Sequence, residues 1–221
     1  MTGTRVLNIC FHGIGTPRRP LEPGESAYWI SAEAYLRILD EVMTWPGVRL
    51  SFDDGNASDL ALGVDALEER GLHATFFVLA GRLGTAGSLS PDDVLELRRR
   101  GMTLGTHGMD HRSWRGMDPR TARVELVDAR ARLAELIGAS VEEAALPRGE
   151  YDRHVLRRLR SLGYAAVHTS DRRSGRTGAW LQPRFSVRTV DTAASLRAEV
   201  LHASRAAWAA SWAKGLVKRW R

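Results

Sequence analysis

The chain has 221 residues, 43% hydrophobic and 26% charged, which supplies one sizeable core and excludes a disordered or collagen-like chain. The formal charge is +6, and Lys214 and Lys218 are the only lysines among 32 basic residues. No helix-turn-helix, zinc-finger or RNA-binding pattern accompanies that charge, so no nucleic-acid partner is expected, and no apolar run is long enough to span a bilayer.

Residues 6–11 read as a buried strand ending at His12-Gly13-Ile14-Gly15. Asn8 interrupts the apolar run and no cleavage site follows, so no secretory signal is read. The single cysteine, Cys10, cannot form an internal disulfide; a cytoplasmic location is expected. A Pro- and Gly-containing loop, 16–24, is too long and polar to be core. Ser31 caps a helix over 32–44, where Tyr35, Leu36, Leu39, Val42 and Met43 keep a helical period. Pro46-Gly47 breaks the chain before a strand over 48–52.

The rhythm then repeats. Ser58 or Asp59 caps a helix to Arg70, Gly71 ends it, and 74–79 is a strand. Ser90-Pro91-Asp92-Asp93 opens a helix that Gly101 stops before a strand over 102–104. Asp118-Pro119 opens a single long helix to Ile137, closed by Gly138. A weak strand over 141–146, a helix over 152–162 and strands over 165–169 and 180–187 follow; 171–178 is a basic loop expected to be mobile. Strands alternating with helices give a parallel sheet buried on both faces. About seven strands in one domain favour a barrel, closed or not, over an open sheet. Either architecture places chemistry where His12, Asp53, Asp54, His107, His111 and 147–149 fall, just after strands.

His107 and His111 stand four apart in Gly105-Thr106-His107-Gly108-Met109-Asp110-His111, where the glycines argue for a loop. Two imidazoles and one carboxylate make three ligands, with positions left for water. In Arg49-Leu50-Ser51-Phe52-Asp53-Asp54-Gly55, both carboxylates serve one site only if the strand ends near Phe52 and turns, as Gly55 permits. A divalent cation would relieve their repulsion. Spacing alone equally allows an acid pair that caps the helix beginning near Ser58.

Ser51-Phe52-Asp53-Asp54-Gly55 together with His107-Gly108-Met109-Asp110-His111 resembles the polysaccharide deacetylase family, the NodB-homology carbohydrate esterases, across residues 6–190. The resemblance implies an α/β fold, a distorted (β/α)7 TIM-like barrel in a single domain, with Asp54, His107 and His111 as metal ligands and Asp53 as general base. By ligand type the ion would be zinc, although cobalt, nickel or iron also suit such a set. The family's Arg-x-Pro-x-Gly motif reads Ala145-Leu146-Pro147-Arg148-Gly149 here, so alanine stands at the arginine position. Arg148 and Arg184, in Leu181-Gln182-Pro183-Arg184, become candidates for holding Asp53, with Pro147 and Asp171 as further groups near the rim. The family's Leu-x-His is not matched by Leu201-His202. Ile9-Cys10-Phe11-His12 instead resembles the strand-end histidine of circularly permuted members, which implies His12 as general acid. His73, His154 and His168 are read as core or surface residues.

The implied activity is removal of an N-acetyl group from an N-acetylated sugar or glycan intermediate. The alternatives are hydrolysis of a small amide or imide at the same site, or a non-catalytic carbohydrate-binding barrel. Residues 1–200 form the barrel in this reading. Residues 201–221 form a basic helix on which Trp208, Trp212, Leu216 and Trp220 make an aromatic stripe. That stripe suits peripheral contact with anionic lipid, or packing on the barrel or a second subunit.

Overall fold

The computed structural model describes residues 3–202. The aromatic and basic stripe read at 201–221 lies, from residue 203 on, outside the described residues. Six strands run in parallel neighbour order: β1 (Arg5–Phe11), β2 (Val48–Asp54), β3 (Ala74–Val78), β4 (Thr103–Thr106), β5 (Glu143–Ala145) and β6 (Ala166–Thr169). The short β7 (Gly175–Arg176) pairs antiparallel with the start of β1, so the loop expected over 171–178 is partly tied to the sheet.

The segment expected as one strand over 180–187 is instead two, β8 (Leu181–Pro183) and β9 (Phe185–Ser186), with Arg184 between them. β8 pairs parallel with β6 and β9 pairs parallel with β1. The chain therefore crosses from the last strand to the first at Arg184, which nearly closes a distorted α/β barrel. That bend points the Arg184 side chain inward, where its guanidinium meets Ser51 and Asp53.

Helices cover the outside: α1 (Ala32–Val42), α2 (Asp65–Glu68), α3 (Pro91–Arg99), α4 (Pro119–Arg123), α5 (Ala129–Ile137), α6 (Arg153–Ser161) and α7 (Ala193–Leu201). The helix expected from Ser58 or Asp59 to Arg70 is instead a π-type turn, Asp59–Val64, with no side-chain cap from Ser58, followed by the short α2, whereas four other starts follow the sequence signals. Ser31 accepts from the N–H of Ala34, Ser90 and Asp93 form a reciprocal capping box, and Asp118 and Asp152 cap α4 and α6. The helix expected unbroken from Asp118 to Ile137 has a wide π-type turn, Val124–Asp128, between α4 and α5. Such turns shift the side-chain register of a helix, and here the shift presents Glu125 inward. None of the described helices is long and apolar enough to cross a membrane.

Strand alternation sorts β2 into two faces. Phe52 faces the helix layer, stacked on Phe76 at 4.7 Å and packed near Phe11 and Tyr35. Its neighbours Ser51 and Asp53 face the barrel interior, where Arg184 lies. Alternation would send Asp54 outward again. The strand was expected to end near Phe52, but its pairing with β3 continues through Asp54↔Val78. The turn falls at Asp54 itself, whose φ is +76°, followed by Gly55 at +67°. Two successive left-handed residues swing the second carboxylate back to the rim that the first one faces.

Candidate active site

The C-terminal ends of β1, β2 and β4 bring His12, Asp53, Asp54, His107 and His111 around one cavity of about 360 Å³. A larger cavity, about 450 Å³, lies within the barrel among Asn8, Arg49, Thr75 and His168. The two share Arg184, and the clustered acids and imidazoles line the smaller one.

Asp54 is 2% exposed, and its Oδ1 has no hydrogen-bond partner among the described residues. Nε2 of His107 and Nε2 of His111 each lie 3.5 Å from that oxygen. The ligand atoms of the three residues all fall within 4.8 Å of one another. Burial pushes the Asp54 carboxyl up to about 6, with the neighbouring Asp53 charge adding to it. Burial pushes both imidazoles down, His107 to about 3 and His111 to about 4, the latter also through Arg82 and Arg148. Neutral imidazoles and a buried, unpartnered carboxylate oxygen aimed at one point form a donor set that fits a divalent cation.

Both histidines are oriented from behind. His107 Nδ1 is 2.9 Å from the carbonyl oxygen of Ala145. His111 Nδ1 is 2.8 Å from Glu22, in the loop 16–24. That loop, too polar to be core, folds over the rim and lines the cavity with Glu22, Pro23 and Gly24. Arg19, whose side chain is 9% exposed, pairs with Glu25 and donates to Asn56 Oδ1 at 2.8 Å.

The turn joining the histidines depends on Glu125, which sequence reading missed. Its carboxylate is 1% exposed and accepts from the N–H groups of Met109 (2.9 Å) and Asp110 (3.2 Å) and from Trp114 Nε1 (3.4 Å). Gly108 has φ +90°, and a Cβ there would run into the same carboxylate. An acid amid the apolar Val124, Leu126 and Val127 is the one signal that pointed to it.

Asp53 lives in a different environment. Arg184 grips it with both nitrogens, Nη1 to Oδ1 at 2.6 Å and Nη2 to Oδ2 at 2.7 Å, and Nη1 also donates to Ser51 Oγ at 3.0 Å. Burial alone would raise the Asp53 carboxyl; Arg184, His107 and His12 together outweigh it and hold the group well below the usual range. Adjacent carboxylates are thus separated: one neutralised by a fork of N–H donors, one left without a cation.

The other expected residues divide. His12 lies on the rim with Nε2 4.0 Å from Asp53 Oδ2 and its ring 4.9 Å from that of Tyr28. Of the two arginine candidates, Arg184 reaches Asp53 and Arg148 does not. Arg148, half exposed, donates to the carbonyl of His111 at 3.2 Å and to Glu22 at 3.1 Å. Pro147 is buried at the start of the turn Pro147–Gly149, next to the cavity-lining Leu146 and Arg148. Asp171 accepts from Tyr151 Oη at 2.7 Å and Thr169 Oγ1 at 2.9 Å, just after the C-terminal end of β6. His168 pairs with Glu143 at 2.8 Å and faces the larger cavity. Asp54, His111 and Arg148 are three of the four non-glycine residues with left-handed backbone among the described residues. At about 1–3 kcal/mol each, such conformations cluster where a site demands them.

The rim of this barrel gathers paired carboxylates and two convergent imidazoles, a set of groups that could hold a cation and move protons at one place. The profile of the family described as polysaccharide deacetylase matches residues 43–167, and the chain belongs to that family. An uncharacterised protein of Streptomyces coelicolor is 33% identical over 131 residues, covering 59% of this chain and 51% of that protein. The chain spans about half the length of the curated relatives it matches. Among solved structures, the Streptococcus pyogenes deacetylase PplD in complex with acetate is similar at a TM-score of 0.75 and 18% identity, covering 88% of this chain and 97% of that one. IcaB from Ammonifex degensii gives a TM-score of 0.72 at 23% identity, covering 90% and 97%. At these identities the likeness is one of fold.

Proposed function

We propose that the chain is a metal-dependent hydrolase that removes the N-acetyl group of an N-acetylated sugar or glycan intermediate. The observation that carries this reading is the meeting of two imidazole Nε2 atoms on one unpartnered Asp54 oxygen, beside a carboxylate locked by Arg184. Family membership supplies the reaction class.

Asp54, His107 and His111 would hold the ion, with zinc the best match to two nitrogens and one oxygen. A bound divalent ion supplies Lewis-acid activation of an amide carbonyl and of water. The protein's own groups handle the protons. Asp53, ionised and fixed in direction by Arg184, accepts the proton of the attacking water. The departing sugar amine is a poor leaving group until protonated, and His12, whose Nε2 lies 4.0 Å from Asp53 Oδ2, gives it that proton. The strong grip of Arg184 lowers the proton affinity of Asp53, so its contribution belongs toward the lower end of the usual 10²–10⁴-fold for a general base. The cavity of about 360 Å³ is at the small end for a ligand pocket, which suits one reacting unit with the rest of a glycan outside it.

Acetate release from free, polymeric and nucleotide- or lipid-linked N-acetylhexosamines tests the proposal. Release from at least one, abolished by a chelator and restored by the metal, is the expected outcome. Metal-loaded protein that frees acetate from none of them overturns it.

A further inference from the structure

The imidazoles of His107 and His111 are backed by unlike partners. Behind His107 is a backbone carbonyl, that of Ala145 on β5. Behind His111 is the side-chain carboxylate of Glu22, 89 positions upstream, at 2.8 Å from Nδ1. An imidazole whose Nδ1 faces a carboxylate oxygen carries its proton there and keeps the Nε2 lone pair for the opposite side. On that opposite side lies Oδ1 of Asp54, at 3.5 Å.

Glu22 is itself fixed from several directions. Arg82, beyond β3, pairs with Oε1. Arg148, beyond β5, donates to Oε2 at 3.1 Å. The Glu22 backbone N–H donates to Glu25 Oε2 at 2.8 Å. Two arginines thus offset the charge of a carboxylate whose other contact is an imidazole. The pair is largely shielded, with His111 13% and Glu22 26% exposed at the side chain. A loop serving only as cover would need none of this convergence on one ring nitrogen.

We infer that Glu22 is a positioning residue for His111, fixing its tautomer and ring direction for the ion proposed above; the inference rests on that metal-site reading. It acts through His111 and touches no reacting atom. Removing such a partner weakens metal binding by 10–100-fold in comparable sites.

The test is Co²⁺ titration of the full chain, followed by visible absorption, in wild type, Glu22→Ala, Glu22→Gln and His107→Ala. At least a tenfold weaker Co²⁺ affinity is expected for Glu22→Ala, with far-UV circular dichroism unchanged. Glu22→Gln, whose amide oxygen still accepts from Nδ1–H, is expected to recover most of the loss, which a merely structural role would not require. Should Glu22→Ala not fold, Glu22→Met keeps the volume without an acceptor and carries the same comparison. Equal affinity in wild type and the folded acceptor-less variant overturns the inference while leaving the metal site standing. A Glu22→Gln variant as weak as Glu22→Ala also overturns it. Loss of binding in His107→Ala with none in Glu22→Ala separates the two claims; no binding in wild type overturns both.

Discussion

Replacing Arg184 with alanine is expected to lower stability by about 3–5 kcal/mol, the cost of removing one partner from a buried ion pair. Both partners are nearly inaccessible, Arg184 at 1% and Asp53 at 3%. The fork leaves Asp53 with both oxygens satisfied; alanine would strand the carboxylate in the barrel and leave Ser51 without its donor. Arg184→Lys should fall between, since an ammonium restores charge without the bidentate geometry. Urea unfolding reads the effect as a lower midpoint. An Arg184→Ala midpoint equal to wild type would mean that the pair is not formed. Because Arg184 also occupies the crossing from β8 to β9, the loss should be larger than for a surface pair, where about 0–1 kcal/mol is usual.

Asp53→Asn is expected to keep the bound ion and lose acetate release by roughly 10²-fold or more. The amide preserves shape and one acceptor for Arg184, but it cannot take a proton. The contrast with the neighbouring position is the informative part: Asp54→Asn should lose the ion itself, because Asp54 Oδ1 is where both Nε2 atoms converge. Acetate release alongside metal content separates the two carboxylates. An Asp53→Asn variant that turns over normally would put the base elsewhere.

Much of this site was legible in the sequence because its parts sit at strand ends, where local signals are strong. Asp53-Asp54-Gly55 and the His107–His111 turn carry their own glycines, and the alternation of strands and helices located them on one rim. The arginine missing at position 145 could be sought but not found by pattern. Arg184 and Arg148 were equal candidates, and only the crossing from β8 to β9 aims Arg184 at Asp53. Glu22 left no signal and Glu125 only that of an acid amid apolar neighbours, for a related reason. Each acts across a long separation on a backbone group or ring that leaves no spacing to read. The strand end was misjudged by two residues because the turn is made by a non-glycine, Asp54, at φ +76°. Local propensity favours a turn at Gly55, and the pairing with β3 carries the strand beyond Phe52.

The most direct measurement is the metal content of the purified chain after loading and exhaustive dialysis. About one divalent ion per chain in wild type, and none in a His107→Ala, His111→Ala double variant that still folds, is the predicted result. A wild-type chain that retains no ion under any loading condition, or a double variant that retains it undiminished, would contradict the assignment of Asp54, His107 and His111.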